Sequence, residues 1–401
     1  MAIGGRFVAA DRAQWRRASA RDGFGTLRIV AAVLVIVDHC APLTNHGGSV
    51  LPTWLGIDLG AVMVAAFMAL SGYQVMGSWR RDPNLWRFTV RRLLRIMPGL
   101  AVVLLASVLV LGPIMTELSA SAYFAHPNTW SYLGNNLLVF PMQYSLPGVF
   151  PGHPVPHAVN GSLWSLPVEL LGYALVALFG LLGAVRRRYI VVLGAVLFAA
   201  VFERAITNQV ELPRVTLEVL TLPLVQYLAI YCVGMAAYLF RVKFTWWGLL
   251  LCVGVEIVMH GSAAVEVARL VTVPYVMLTL ASLMPRRLWL PPALTMASYG
   301  VYLYGFPTQQ VMVYAGASTP LTVALLSVPV ALVLGLLSWH IVEQPAMRLR
   351  SVLLRERKPG QDGGSTERTK LVMPASSSSS PSVSAPTALE TPIRTVNRSE
   401  A

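Results

Sequence analysis

Arg28 and His39 stand eleven positions apart in a run of otherwise apolar residues that also holds Asp38. If that run is helical, eleven residues amount to three turns plus about 20° and a rise of ~16 Å, so guanidinium and imidazole share one stripe. In hydrocarbon an ionisable side chain costs about 2.5–3.5 kcal/mol on insertion scales, which makes each one a functional candidate. A guanidinium holds phosphate or carboxylate through paired hydrogen bonds. An imidazole has the pKa to take a proton from a hydroxyl near neutral pH. Two readings stay open on spacing alone: chemistry across a membrane, or an arginine anchor at one face and an interfacial histidine. Asp38 points ~100° away from His39 on a helix, which disfavours a direct pair.

A second acid, Glu169, follows Ser162-Leu163-Trp164-Ser165-Leu166-Pro167-Val168. Pro167 suits a first helical turn or a kink. An acid beside Trp164 and Ser165 reads either as a pocket wall or as a helix start with an interfacial tryptophan. Arg91, Arg92 and Arg95 stand before Pro98. They suit positive-side anchoring or a polyanionic ligand such as coenzyme A. Ser71-Gly72-Tyr73 reads as close helix packing, Tyr299 and Tyr302 belong to an aromatic run, and Glu343-Gln344-Pro345 reads as an interfacial acid.

The elements that must carry these residues follow from composition. Of 401 residues 55% are hydrophobic and only 12% charged, about half the charge of a soluble domain. The apolar residues form runs of ~17–25, the length needed to span a bilayer by helix. Ten spans are expected, near 24–44, 56–78, 94–115, 162–184, 189–203, 217–240, 244–260, 266–284, 293–315 and 320–341. The chain reads as an all-α polytopic membrane protein of about ten transmembrane helices.

The net charge of +13 is spread over alternate connections, which argues against nucleic acid. Arg80 and Arg81, Arg186 to Arg188, Arg241 and Lys243, Arg286 and Arg287, and Arg348 and Arg350 fall on one side. Arg204, Arg214 and Arg269 fall on the other. The positive-inside rule then puts both termini in the cytoplasm. Residues 1–23 form a basic cytoplasmic segment with no evident cleavage site, 24–350 the membrane domain and 351–401 a disordered cytoplasmic tail rich in Ser, Thr and Pro. The outward connection near 116–161 is long enough for a lid or a plain surface excursion. The three cysteines lie in apolar runs without a Cys/His cluster, so neither a disulfide framework nor a metal site is expected.

Arg28 with His39, the stretch Leu70 to Tyr73, Arg91 to Pro98, Ser162 to Glu169, Ser298 to Pro307 and Glu343 to Pro345 occur in an order that resembles acyltransferase family 3, over residues 22–350. The version around Gly305 resembles the unfused polysaccharide and lipopolysaccharide O-acetylase branch; many relatives carry histidine where this chain has Gly305. The resemblance implies a ten-helix protein of the bacterial cytoplasmic membrane. It would move an acyl group, in the first place acetyl, from acyl-CoA on the cytoplasmic side to a hydroxyl of an envelope sugar, glycolipid or macrolide. It implies that His39 is the essential histidine and Arg28 its partner, that Arg91, Arg92 and Arg95 serve the donor, and that Glu169 serves the acceptor side. Trp164, Ser165, Tyr299 and Tyr302 would line the pocket. His39 would act as general base or form an acyl intermediate. No cofactor is held permanently; acetyl-CoA or another acyl-CoA is a co-substrate. Two alternatives from other classes are a transporter or flippase of an envelope precursor, whose intramembrane charges line a path, and a non-catalytic scaffold.

Overall fold

The computed structural model describes residues 23–46, 51, 53, 56–207, 221–262 and 264–354. Residues 1–22 of the expected N-terminal basic segment, the tail beyond residue 354 and Arg214 lie outside the described residues. The membrane helices are α1 (Gly23–His39), α2 (Leu59–Arg81) and α3 (Leu85–Ala106), the last continuing through a π-helical turn at Ser107–Leu111 to Met115. Two short helices follow, α4 (Ala120–Ala125) and α5 (Pro127–Leu138). Next come α6 (Ser165–Leu181), entered by a 3-10 turn at Gly161–Trp164, then α7 (Tyr189–Ile206), α8 (Thr221–Leu239), α9 (Trp246–Val258) and α10 (Ala264–Leu283). The chain continues with α11 (Pro292–Met296), α12 (Ser298–Tyr314) and α13 (Pro320–Ser338), which runs through a π turn at Trp339–Glu343 into α14 (Gln344–Leu353). Among the described residues there is no strand, only two isolated bridges, Thr116 with Val149 and Ser145 with Ala158. The protein is an all-α polytopic membrane protein.

Lipid offers no hydrogen-bond partners, so helices are the economical way through it, and side-chain packing must hold them together. Small residues set the closest approach. A Cβ at Gly72 of α2 would overlap the carbonyl of Tyr231 on α8, and one at Gly234 of α8 would overlap the carbonyl of Ala69 on α2. The sequence reading of Gly72 as a packing residue is thus realised. Larger apolar side chains turn outward, as Leu193, Val196 and Leu197 do on α7, where the hydrocarbon covers them.

Among the described residues eight helices are long and apolar enough to cross a membrane, against ten expected spans. The two expected spans outside this set differ for separate reasons. Helix α9 has 13 residues, about 20 Å of rise against a ~30 Å core. Helix α12 has 17 residues, and its polar side chains, Gln309 and Gln310 among them, are fully buried in protein.

Other boundaries also move. Asn84 Oδ1 accepts from the Arg87 backbone N–H at 2.9 Å and starts α3 at Leu85. The arginines expected in a loop before residue 94 therefore sit on the helix itself. Their charge masks the helix in a hydropathy window, yet Arg91 and Arg92 are half-buried and line a cavity within the protein. Arg269, counted among the outward-side charges, is buried: it donates to Glu256 at 3.1 Å, pairs with Glu266 and joins α9 to α10. Thr272 donates to the other oxygen of Glu256.

The outward connection is a packed cap. Tyr123, Tyr132 and Phe150 are buried together with Leu100, Leu104 and Leu303. The cap is tied to α12 by Asn160 donating to the Leu303 carbonyl at 2.9 Å and by His153 bonded to Gln310 at 2.7 Å.

Candidate functional site

A cavity of about 280 Å³ opens among α1, α2, α3, α6, α12 and α14. Five guanidiniums line it: Arg28, Arg91, Arg92, Arg95 and Arg350. Glu169 is the one acid among its described lining residues. Ser165, Tyr299 and Tyr302 complete the predicted residues found there. Asn84 fixes the register of α3, and at 100° per residue Arg91, Arg95 and Arg92 then fall within an arc of about 100°. That arc is the cavity side of the helix.

The charges are tied down by a relay across three helices. Arg28 Nη2 donates to Ser71 Oγ at 2.9 Å, and Ser71 donates to Glu169 Oε1 at 3.3 Å. Tyr173 donates to the same oxygen at 2.6 Å. The Nε of Arg28 is buried without a hydrogen-bond partner among the described residues. Glu169, expected on the acceptor side, therefore shares a wall with Arg28.

On the opposite wall Arg95 Nη1 meets Glu343 Oε2 at 2.8 Å, and Ser338 donates to the other oxygen at 3.1 Å. Glu343 is fully buried, which corrects its reading as an interfacial acid: the π turn at Trp339–Glu343 rotates it inward. Arg95 also lies over the rings of Tyr299 and Trp339, and Arg92 over Phe88 and Tyr173. Aromatic faces attract such cations and hold them without neutralising them. Arg91 donates to Asp82 at 2.7 Å. Pro98 interrupts the ladder of α3, and Tyr299 donates to the neighbouring Ile96 carbonyl at 3.0 Å.

His39 is not among the residues lining this cavity. It is half-buried at the far end of α1, edge-on to Phe306 with ring centroids 5.6 Å apart. No described residue hydrogen-bonds its ring nitrogens. Tyr302, one helical turn before Phe306, lines the cavity and meets Phe67 edge-on at 5.9 Å. One turn of α12, about 5–6 Å, thus separates the cavity from the residue against His39. The Asp38 carboxylate packs against Gly60 of α2, as its angular offset from His39 predicts. Trp164 packs on Tyr227 at 5.5 Å and is not among the lining residues, whereas Ser165 bonds Tyr302 at 2.7 Å.

Sequence reasoning missed Ser71, Tyr173 and Glu343. Glu343 carried a usable signal, an acid closing an apolar run. Ser71 carried little, because a serine beside a glycine reads as packing.

A polytopic helical protein with an internal cationic cavity is suited to bringing a polyanion to the membrane interior. The sequence profile of the acyltransferase-3 family, an acyltransferase domain, matches residues 21–340. The chain belongs to this family of acyltransferases. It is similar to an O-acetyl transferase of Shigella phage Sf6, 31% identical over 151 residues, which cover 37% of this chain and 43% of the phage protein. It is also similar to nodulation protein 10 of Rhizobium leguminosarum bv. viciae, 27% identical over 365 residues, covering 84% of this chain and 96% of that protein. No solved structure matches.

Proposed function

We propose that the protein is a membrane O-acyltransferase that moves an acyl group, in the first place acetyl, from acyl-CoA to a hydroxyl of a cell-envelope sugar, glycolipid or macrolide. The observation that carries this reading is the gathering of Arg28, Arg91, Arg92, Arg95 and Arg350 around one cavity that ends a single turn of α12 short of Phe306 and His39. Guanidiniums grip phosphates bidentately, so the phosphates of coenzyme A belong among Arg91, Arg92 and Arg95. The positive-inside rule supports a cytoplasmic position for that end of the cavity, where acyl-CoA is made. The pantetheine arm then runs past Tyr299 and Tyr302 toward His39.

His39 takes the acceptor's hydroxyl proton as the oxygen attacks the thioester carbonyl. The carbon–sulfur bond breaks, and the thiolate leaves to be protonated. Base catalysis of this kind contributes roughly 10²–10⁴-fold. In the covalent variant the imidazole carries the acyl group first; either variant needs one ring nitrogen open to the substrate, and no described residue hydrogen-bonds the ring nitrogens of His39. Arg28, held by Ser71 and Glu169, steadies negative charge on the donor side of the reaction. The phage relative's name, an O-acetyl transferase, supports acetyl as the group moved.

Mass spectrometry of envelope lipids and polysaccharides from a deletion strain tests the reading. An acetyl or related acyl increment is expected to vanish and to return with the gene. An unchanged acylation profile would overturn it.

A further inference from the structure

Gln309 lies on α12 close beyond Phe306 and is fully buried. Its Nε2 donates to the Ile36 carbonyl at 2.6 Å and to Cys40 Sγ at 3.0 Å. Its Oε1 has no hydrogen-bond partner among the described residues. The amide cannot be turned over to relieve that oxygen, because a carbonyl only accepts and the amino group must face Ile36. A buried acceptor left without a donor is costly, so the clamp on Ile36 outweighs it.

The Ile36 carbonyl is available because α1 changes its hydrogen bonding at this point. The Cys40 N–H, which a regular α-helix would direct to Ile36, donates instead to Val37 at 3.2 Å. The last turn, which carries His39, is therefore tightened, and the Ile36 carbonyl accepts from Gln309 at 2.6 Å and more weakly from the Cys40 thiol at 3.4 Å. Two more contacts from α12 fall on the same turn: Gly305 presses against the Ile36 side chain, where a Cβ would overlap it, and Phe306 meets the His39 ring. The next residue, Gln310, bonds the carbonyls of Val155 and Ala158 at 3.1 and 2.6 Å. One stretch of α12 thus grips both the histidine-bearing turn and the outward cap.

We propose that Gln309 is a positioning residue that sets the orientation of His39 by holding the Ile36 carbonyl in the last turn of α1. The inference rests on the reading of His39 as the reacting imidazole.

Two variants and one control test it on purified full-length protein, with acetyl-CoA as donor and a membrane extract of the deletion strain as acceptor, and rates expressed per folded molecule. Gln309→Met keeps the length but has no hydrogen to give; kcat is expected to fall roughly tenfold to hundredfold at every pH, as small misplacements of a reacting group do, with the acetyl-CoA KM within twofold of wild type. Gln309→Glu can donate to Ile36 only while its carboxyl is protonated. Its activity relative to wild type is expected to decline as pH rises, the wild-type profile serving to remove the titration of His39, Asp38 and His153. Wild-type kcat in Gln309→Met, or the same relative activity at all pH values in Gln309→Glu, overturns the proposal while an inactive His39→Ala leaves the functional reading standing. An active His39→Ala overturns both.

Discussion

Arg95 on α3 and Glu343 at the start of the final turns are 2.8 Å apart, although 248 positions separate them in the chain. Arg95 lines the cavity with Glu343 buried behind it, and the rings of Tyr299 and Trp339 flank the guanidinium. Removing the fully buried acid leaves Arg95 without its counter-charge. Glu343→Ala is expected to lower stability by about 3 kcal/mol and to raise the acetyl-CoA KM. Thermal unfolding in detergent and donor titration check the two effects.

Ser71 bridges Arg28 to Glu169 by hydrogen bonds in the relay. Hydrogen bonds to charged groups are worth about 1.5–3 kcal/mol, so Ser71→Ala is expected to lower kcat/KM for acetyl-CoA roughly tenfold or more. Ser71→Thr, which keeps the hydroxyl, should recover part of the loss. Steady-state kinetics on both variants decide the matter.

The arginine wall predicts a dependence on salt. Exposed charges are screened within about 8–10 Å at physiological ionic strength, so raising sodium chloride should weaken acetyl-CoA binding more than binding of a short acyl-pantetheine lacking the nucleotide. Arg91→Gln with Arg92→Gln should flatten that difference. Equal salt dependence of the two donors would remove the nucleotide from the arginine cavity.

At a distance from the cavity, Arg269 holds Glu256 and Glu266 between α9 and α10. Arg269→Met leaves Glu256 buried without its cation and is expected to cost about 3–5 kcal/mol. The double variant Arg269→Met with Glu256→Gln should regain most of it. Unfolding midpoints of the three proteins measure the difference.

What the sequence made legible was the chemistry that hydrocarbon penalises. Arg28, His39 and Glu169 stand out because charge inside an apolar run is rare, and Arg28 and Glu169 do line one cavity. The same logic failed wherever protein, rather than lipid, surrounds a polar group. The first turns of α3 read as loop because their arginines depress hydropathy, and α12 falls short as a span because Gln309 and Gln310 are polar. Both glutamines escaped a search for ionisable residues, yet their hydrogen bonds fix the ends of other elements. Glu343 depended on a π turn, which no spacing rule for a regular helix anticipates. Trp164 was placed by proximity to Ser165 in sequence, but the 3-10 turn at Gly161–Trp164 turns it toward Tyr227.

The most direct measurement is acyl transfer by purified His39→Ala protein in lipid vesicles, followed with acetyl-CoA carrying a labelled acetyl group, beside its affinity for acetyl-CoA. The account predicts a folded protein that binds acetyl-CoA within about twofold of wild type and transfers acetyl at least about 100-fold more slowly. Transfer at the wild-type rate would contradict it.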